Sequence, residues 1–521
     1  MFFQSLSFFK IFLKHGSRSV NKKDVLAVIL ILASISVFFY MSGNISSGYQ
    51  FYDDHEILRI SHDLSSQPFF DVAHKWIEND LSIRYRPMYF FHRVLETQIF
   101  GHDFKLLSIY TASLFAFTTI FFYFAFRKIG FSIIEAFASL LLTFVGPQMT
   151  IWWRLGPNET IGMVFLSIAF YFMVNCKERY ELNTFWFSLF LVFASLSKES
   201  FTVIIPAMII FKIWYEIDNF EFGILEALRK NSMLLLPLLV MLINIYIIVF
   251  VVGTNQIEYA GVDSNIRGII KGAIRILKDP LKQYLALTFG VFVVTSIGLG
   301  KKNILDLGKK MLMPFSVFIL ILVPNLALYA KSGMQVPRYM LPSLVGFSFF
   351  VISLINETGK TAKWLRVILL VAVFGFVANL SRTVLKSAQY YAAIGNQNNE
   401  FLLAVVENST TSSELLLVLD PTSWDFEASM AIQSYIELIN DIPLYGYAIY
   451  TPEDLKGKEH LVEVWEVWFK GKMFSDLESD PDMIIFLDES LVEIFFNESG
   501  LNRSTYADYY YESDYIVLEM K

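Results

Sequence analysis

Apolar residues in this chain run in long blocks instead of alternating with polar ones. Eleven stretches are nearly uninterrupted: residues 24–42, 106–126, 131–148, 160–175, 183–197, 200–215, 232–252, 284–300, 311–330, 338–356 and 364–382. A bilayer core takes roughly 20 apolar residues per helix, so the pattern predicts about eleven transmembrane helices. The third to sixth blocks are short or closely spaced, and two of them could be re-entrant. A long polar segment, 43–105, separates the first two blocks. The pattern changes again near residue 400. There Leu415–Leu419 and Met483–Leu487 are apolar runs of strand length, each followed by or close to an Asp, and Tyr509–Leu518 reads as a final strand. Trp424–Ile439 and Glu453–Phe469 carry helical spacing between them. The expected architecture is an α-helical polytopic membrane protein with a C-terminal soluble α/β domain. Its segments are 1–23 at the N-terminus, 24–399 in the membrane and 400–521 as a domain long enough to fold alone.

Basic residues orient the spans, because short cytoplasmic connections are enriched in Lys and Arg. With the N-terminus cytoplasmic, the inner connections carry Lys22–Lys23, Arg127–Lys128, Lys177 with Arg179, Arg229–Lys230, Lys301–Lys302 with Lys309–Lys310, and Lys360 with Lys363. This register places 43–105 and 400–521 on the extracytoplasmic face. The basic Lys10–Lys23 segment precedes the first span with no small-residue cleavage site, so the first span is expected to stay uncleaved. Eight cations fall on the outer side against the rule: Arg84, Arg86, Arg93, Arg154, Lys198, Arg267, Arg275 and Arg338. Snorkelling to lipid headgroups accounts for such residues. A pocket for an anionic headgroup accounts for them equally, since the planar guanidinium donates bidentate hydrogen bonds to phosphate.

Composition narrows the class. The chain has 521 residues, of which 55% are hydrophobic and 17% charged, against about 25% charged in soluble domains. Its one cysteine, Cys176, rules out an intrachain disulfide and reads as a small apolar filler. The net charge of −7 conceals a division: residues 401–521 hold 24 acidic and 6 basic side chains, and the rest hold 25 and 36. An acidic tail and the absence of any basic tract with interleaved aromatics exclude a nucleic-acid surface. No phosphate-binding glycine loop of the ATPase type occurs.

Candidate chemistry gathers on the outer side. Asp53 and Asp54 follow the first span. One of them could serve as a general base, the other or both as a cap for a helix beginning near His55. Arg84 and Arg86 lie in the same segment. Glu159 opens the fourth span, where it could position an acceptor or a metal, or simply complement a helix N-terminus. Lys198 and Arg338 sit in short turns beside spans and are candidates for a phosphate, with a local Lys198–Glu199 pair as the ordinary alternative. His55, His62, His74, His92 and His102 crowd the polar segment, yet their spacing fits no zinc signature. No cofactor is certain. Asp53, with help from Glu159, could hold a divalent cation.

In order, these segments resemble the GT-C glycosyltransferases, multispanning enzymes that use polyprenyl-phosphate-linked sugars and include protein O-mannosyltransferases and bacterial lipid-A or O-antigen sugar transferases. Tyr52-Asp53-Asp54 is similar to the family's acidic motif in the first outer loop. Arg84-Tyr85-Arg86-Pro87-Met88, running to Phe100-Gly101, is similar to its Arg-Pro-Leu stretch, with Met88 in place of the usual Leu. Leu196-Ser197-Lys198-Glu199 and Pro337-Arg338-Tyr339-Met340-Leu341-Pro342 are similar to two later motifs. The likeness spans roughly residues 24–350 and does not extend to the acidic tail. It implies transfer of a hexose-type sugar from a polyprenyl-phosphate donor to a glycan, lipid or protein acceptor. In that reading Asp53, Asp54 and Glu159 are catalytic, and Arg84, Arg86, Lys198 and Arg338 bind the donor phosphate. Two rivals share the same composition. One is a polysaccharide polymerase or ligase using lipid-diphosphate glycans, although the long loop here comes first instead of late. The other is a lipid-linked sugar transporter or flippase, although the charges gather at one face instead of within the spans.

Overall fold

A computed structural model describes residues 21–521, except 82–83, 176–178, 221–222, 224–225, 227–228, 253–265, 280, 300, 331–335, 424, 457, 470 and 513–514. Cys176, most of the basic N-terminal segment and much of the 253–283 connection therefore lie outside the described residues. A helix overlaps each of the eleven apolar stretches. Among the described residues seven helices are long and apolar enough to cross a membrane, or eight if the bent pair Arg267–Lys278 and Lys282–Gly298 forms one span. The count of eleven is therefore not confirmed among the described residues, and the reason is length. Ile133–Phe144, Glu159–Val174 and Tyr180–Ser195 have 12, 16 and 16 residues, and twelve residues of α-helix rise only about 18 Å. The chain is a multi-pass helical membrane protein with a small C-terminal sheet.

By contacts the chain divides into two compact units: residues 1–41, 112–149 and 159–385, and residues 42–111, 150–158 and 386–521. The first is helical. Its most enclosed element is Leu341–Thr361, which packs on Lys301–Ala330 and Ile133–Phe144. Phenylalanine fills the bundle: Phe122, Phe126, Phe131, Phe170, Phe211 and Phe349 are all buried and meet ring to ring. The spans are less neutral than their composition suggests. Lys212 and Glu216, one helical turn apart, are both fully buried and paired, and Glu216 also accepts from Tyr180 Oη at 2.9 Å and from Asn231 Nδ2 at 2.5 Å. A buried pair of this kind is retained only when its remaining hydrogen-bonding capacity is met.

In the second unit the polar segment after the first span is not a loop but three helices, His55–Ser66, Phe69–Leu81 and Pro87–Phe100. The first is strongly amphipathic, and it buries Ile57, Leu58 and Ile60. The tail forms a five-stranded sheet of β1 (Leu415–Leu419), β2 (Leu444–Ala448), β3 (Met483–Phe486), β4 (Tyr506–Glu512) and β5 (Tyr515–Met520), in the order β2-β1-β3-β5-β4. β1 runs parallel to β2 and β3, while β5 is antiparallel to β3 and β4. β1 is buried on both faces, as a central parallel strand must be. The expected single strand over Tyr509–Leu518 is a hairpin, and Glu453–Phe469 is two helices, Pro452–Leu455 and Glu459–Trp468.

The tail does not stand by itself. Leu415, Leu417 and Leu419 share one apolar core with Ile57, Leu58, Phe51, Phe104 and Phe401, so the sheet and the segment after the first span bury each other. The helix Lys363–Glu407 continues without a break through the change of composition near residue 400. Its Asn398 donates to the Tyr49 carbonyl at 3.0 Å and accepts from Tyr515 Oη at 3.0 Å. Gly48 and Gly395 let the two backbones cross: a Cβ on Gly395 would lie 2.8 Å from the Gly48 carbonyl oxygen.

Candidate functional site

In the second unit the chain turns sharply before His55, and the turn is strained. Phe51 and Asp53 both have φ near +60°, a region that costs a non-glycine residue of order 1–3 kcal/mol and persists where its surroundings enforce it. The enforcing group is Asp54. Its carboxylate is only 2% exposed, and Oδ2 accepts from the backbone N–H of Gln50 at 2.6 Å and of Phe51 at 3.1 Å. Asp54 thus stands at the N-cap position of the following helix but makes no side-chain cap. Its side chain ties the turn backwards, against the capping expectation. Burial pushes its pKa up to about 7, opposed by the Gln50 N–H, Arg154 and the Phe51 N–H. Asp53 is half-buried and differently placed. Of the two carboxylates, that of Asp54 holds the turn.

The floor under Asp53 is Leu155–Gly156. A Cβ on Gly156 would come within 2.0 Å of Asp53 Cβ, so only glycine admits the turn. This floor is pinned by polar side chains from the Pro87–Phe100 helix. Arg93 donates to the Leu155 carbonyl at 2.5 Å and the Gly156 carbonyl at 3.1 Å, and pairs with Glu96 at 2.5 Å. Tyr89 Oη donates its one proton to Glu56 at 2.5 Å, and the Gly156 carbonyl lies 3.0 Å from the same oxygen. Burial raises the Glu56 pKa against the pull of Arg86, Arg93 and Tyr89, and burial draws His55 down to about 4. The Arg154 guanidinium lies over the rings of Tyr52 at 4.8 Å and Tyr391 at 5.5 Å.

The two arginines expected to bind phosphate in this segment have partners of their own. Arg86 is forked onto Asp80, with Nη2 to Oδ1 at 2.6 Å and its backbone N–H to Oδ2 at 2.8 Å, and it sits between the rings of Tyr89 and Phe90, 5.3 Å from each. Arg84 is buried, and its N–H donates to the Asp80 carbonyl at 2.6 Å. The pair closes the connection between two helices.

The first unit brings together the other three candidates. Glu159 is completely buried at the start of its helix. Lys198 Nζ donates to Glu159 Oε1 at 2.5 Å, and Arg338 Nε stands 3.8 Å from the same oxygen. The local Lys198–Glu199 pair gives way to this long-range one. Gly162 explains the approach: a Cβ there would lie 2.3 Å from the ring of Phe201, so glycine lets the helix carrying Glu159 press against the turn carrying Lys198. Arg338 is set by a proline-led turn, Pro337–Met340, which opens the next helix. Tyr339 completes the cluster. Its ring lies 4.2 Å from Lys198 Nζ and stacks on Tyr329 at 4.6 Å and 16°. Two cations share one carboxylate on an aromatic wall, an arrangement suited to an anion that donates no proton and accepts several.

Sequence reasoning missed Arg93, Glu96, Tyr89 and Glu56 as one network, and it missed the Lys212–Glu216 pair. The spacing Tyr89-x-x-x-Arg93-x-x-Glu96, three polar residues on one helical face, was the available signal. Among the described residues no group of three or more His, Cys, Asp or Glu side chains is placed to hold a metal ion.

The fold is similar to that of ArnT from Cupriavidus metallidurans bound to undecaprenyl phosphate, with a TM-score of 0.51 and 14% identity over 94% of this chain and 97% of that one. ArnT in the apo state aligns with a TM-score of 0.49 and 12% identity over the same shares, 94% and 97%. The Archaeoglobus fulgidus oligosaccharyltransferase tethered with an acceptor peptide containing the NVT sequon aligns with a TM-score of 0.42 and 11% identity, over 88% of this chain and 69% of that one. No family model and no curated protein matches the sequence. The ArnT likeness carries the fold alone: a multispanning helical protein with a small C-terminal sheet.

Proposed function

We propose that the protein is a glycosyltransferase that takes a sugar from a polyprenyl-phosphate donor, acts at the extracytoplasmic face of a bacterial inner membrane, and passes the sugar to a glycan, lipid or protein hydroxyl. The observation that carries the reading is the pairing of Lys198 and Arg338 with the single carboxylate of Glu159. The fold supports it, since ArnT with the same architecture holds undecaprenyl phosphate. Lys198 and Arg338 receive the donor phosphate, and Glu159 holds both cations in place. In the transfer the acceptor oxygen forms the new bond to the anomeric carbon while the bond from that carbon to the phosphate oxygen breaks. The electron pair leaves with the phosphate, whose growing charge the two fixed cations stabilise. The acceptor proton goes to a carboxylate. Asp53 is assigned that role because Asp54 is committed to the turn. Tyr89, Arg93 and Glu56 are positioning residues that support the floor beneath Asp53.

The test is transfer of labelled sugar by the purified protein in liposomes, with monophosphate and diphosphate polyprenyl donors supplied separately. Turnover with the monophosphate donor, lowered about 100-fold or more in Asp53→Asn as expected for loss of a general base, supports the proposal. Unaltered turnover in folded Asp53→Asn removes the base assignment. Turnover with the diphosphate donor alone replaces the proposal with a polymerase or ligase, and counterflow of substrate without covalent product replaces it with a transporter.

A further inference from the structure

The helix Ile266–Lys278, Ile-Arg-Gly-Ile-Ile-Lys-Gly-Ala-Ile-Arg-Ile-Leu-Lys, is the most sharply divided amphipathic element in the chain. Arg267, Lys271, Arg275 and Lys278 fall at i, i+4, i+8 and i+11, within about 80° of one another around the axis at 100° per residue. All four are exposed, and none is in an ion pair among the described residues. The opposite face is anchored. Ile276 is buried, and Gly272 lies so close to the end of the Lys301–Ala330 helix that a Cβ would stand 1.6 Å from the Ala330 carbonyl oxygen. Between the anchored face and the basic stripe, Ile270 and Ile274 are 54% and 46% exposed. The helix then bends by 70° into the apolar helix Lys282–Gly298.

Each feature has a physical reading, and they agree. A span continued straight would bury its cations in hydrocarbon, whereas a 70° bend lays this helix across the direction of the next one, along the membrane surface. Exposed isoleucines beside a cationic stripe are what an interfacial helix presents to a leaflet: apolar side chains enter the acyl boundary while Lys and Arg meet the headgroups. Among the described residues no carboxylate pairs with the stripe, so its charge is open to counter-ions from outside. The geometry points to a docking strip for anionic phospholipid headgroups, whose phosphodiesters these four cations hold. It lies at the end of the Lys301–Ala330 helix where Tyr329 stacks on Tyr339 beneath Lys198, so it would fix the leaflet surface at the level of that cluster. A leaflet-binding helix would act the same way in a transporter, so the outcome of the transfer assay neither supports nor removes it.

The test uses the full chain in nanodiscs. Gly268→Cys, in a Cys176→Ser background, is labelled with bimane, and quenching by doxyl-labelled phosphatidylglycerol is compared with quenching by doxyl-labelled phosphatidylcholine at equal mole fraction. A cation near an anionic leaflet is worth about a fivefold preference, so phosphatidylglycerol is expected to quench severalfold more strongly. Neutralising the stripe in R267Q/K271Q/R275Q/K278Q should abolish the excess and leave phosphatidylcholine quenching unchanged, which also reports that the helix is still seated. Equal quenching by the two lipids in the parent protein, or an excess that survives neutralisation, overturns the proposal. Loss of the excess on adding one mole per cent undecaprenyl phosphate overturns it in favour of a polyprenyl-phosphate site.

Discussion

Replacing Asp54 by Asn isolates the electrostatic cost of the turn, because the side chain keeps its shape and its carbonyl oxygen still accepts from the Gln50 and Phe51 amides. Burial lifts the carboxyl from 3.8 to about 7. At 1.36 kcal/mol for each factor of ten in proton affinity, the ionised form is penalised by about 4 kcal/mol in the folded state. With the folded-state pKa above the unfolded one, folding favours the proton. Stability is unaffected by this group below pH 3.8, falls as pH rises through the window from 3.8 to about 7, and is level above it. Asp54→Asn removes that fall. In detergent, melting followed by tryptophan fluorescence should show the variant and the parent nearly equal near pH 4. The variant should then be more stable at pH 8, by as much as roughly 10 °C at 2–4 °C per kcal/mol for a domain of 150–250 residues. Transfer activity should change only a few-fold, since the turn is retained. Parallel pH dependence in the two proteins, or a variant less stable at pH 8, refutes the assignment of Asp54 as a buried, turn-holding carboxyl.

The Glu159 cluster gives a contrasting result. Glu159→Gln leaves Lys198 and Arg338 without their shared counter-charge, and uncompensated buried charge costs about 3–5 kcal/mol; a lowered melting temperature, partly restored by a polyprenyl-phosphate ligand, is the expected readout. Arg338→Lys keeps the charge but not the planar fork, so donor KM should rise while the melting temperature holds. Gly156→Ala forces a Cβ to within 2.0 Å of Asp53 Cβ; a cost of about 1–3 kcal/mol is expected, and sugar transfer should fall more steeply than in Asp54→Asn because Asp53 itself is displaced.

The helical architecture was legible because apolar blocks of span length admit little else, and each of the eleven blocks is helical. What the pattern could not give was length across the membrane: Ile133–Phe144 ends after 12 residues because the chain turns at Gly146 and Pro147, signals that a count of apolar residues passes over. Of the three helices of the polar segment only the one beginning near His55 was expected; its Ile57 and Leu58 pack against the sheet, some 350 residues away, while Val72, Ala73 and Val94 of the other two pack on one another and on Ile60. β2 was missed because Gly446 and two tyrosines mask its strand character. The glycine is there because the rings of Trp465 and Phe469 leave no room for a Cβ. Within the site, the sequence picked out Asp53, Asp54, Glu159, Lys198 and Arg338, but pairing decides what each can do, and pairing is a property of the fold.

The cations that break the positive-inside pattern sort by their counter-charges. Arg86 and Arg93 each have a carboxylate within 2.6 Å, Asp80 and Glu96, and their charge is spent on closing helices and supporting a loop. Arg154 is spread over two tyrosine rings. Lys198 and Arg338 both lie against one carboxylate, Glu159. Arg267 and Arg275, with Lys271 and Lys278 between and beyond them, have no carboxylate partner among the described residues and offer their charge to the surface. Two of these groups are placed to attract an external phosphate, the Lys198–Arg338 pair beside an aromatic wall and the stripe open at the surface. It follows that salt should separate them. Screening at high ionic strength weakens the exposed stripe and leaves the enclosed cluster nearly untouched, so phosphatidylglycerol preference should fade between 0.05 and about 0.5 M salt while donor KM stays level. A donor KM that rose in step with the loss of lipid preference would mean that the donor phosphate is held at the surface and not by Lys198 and Arg338.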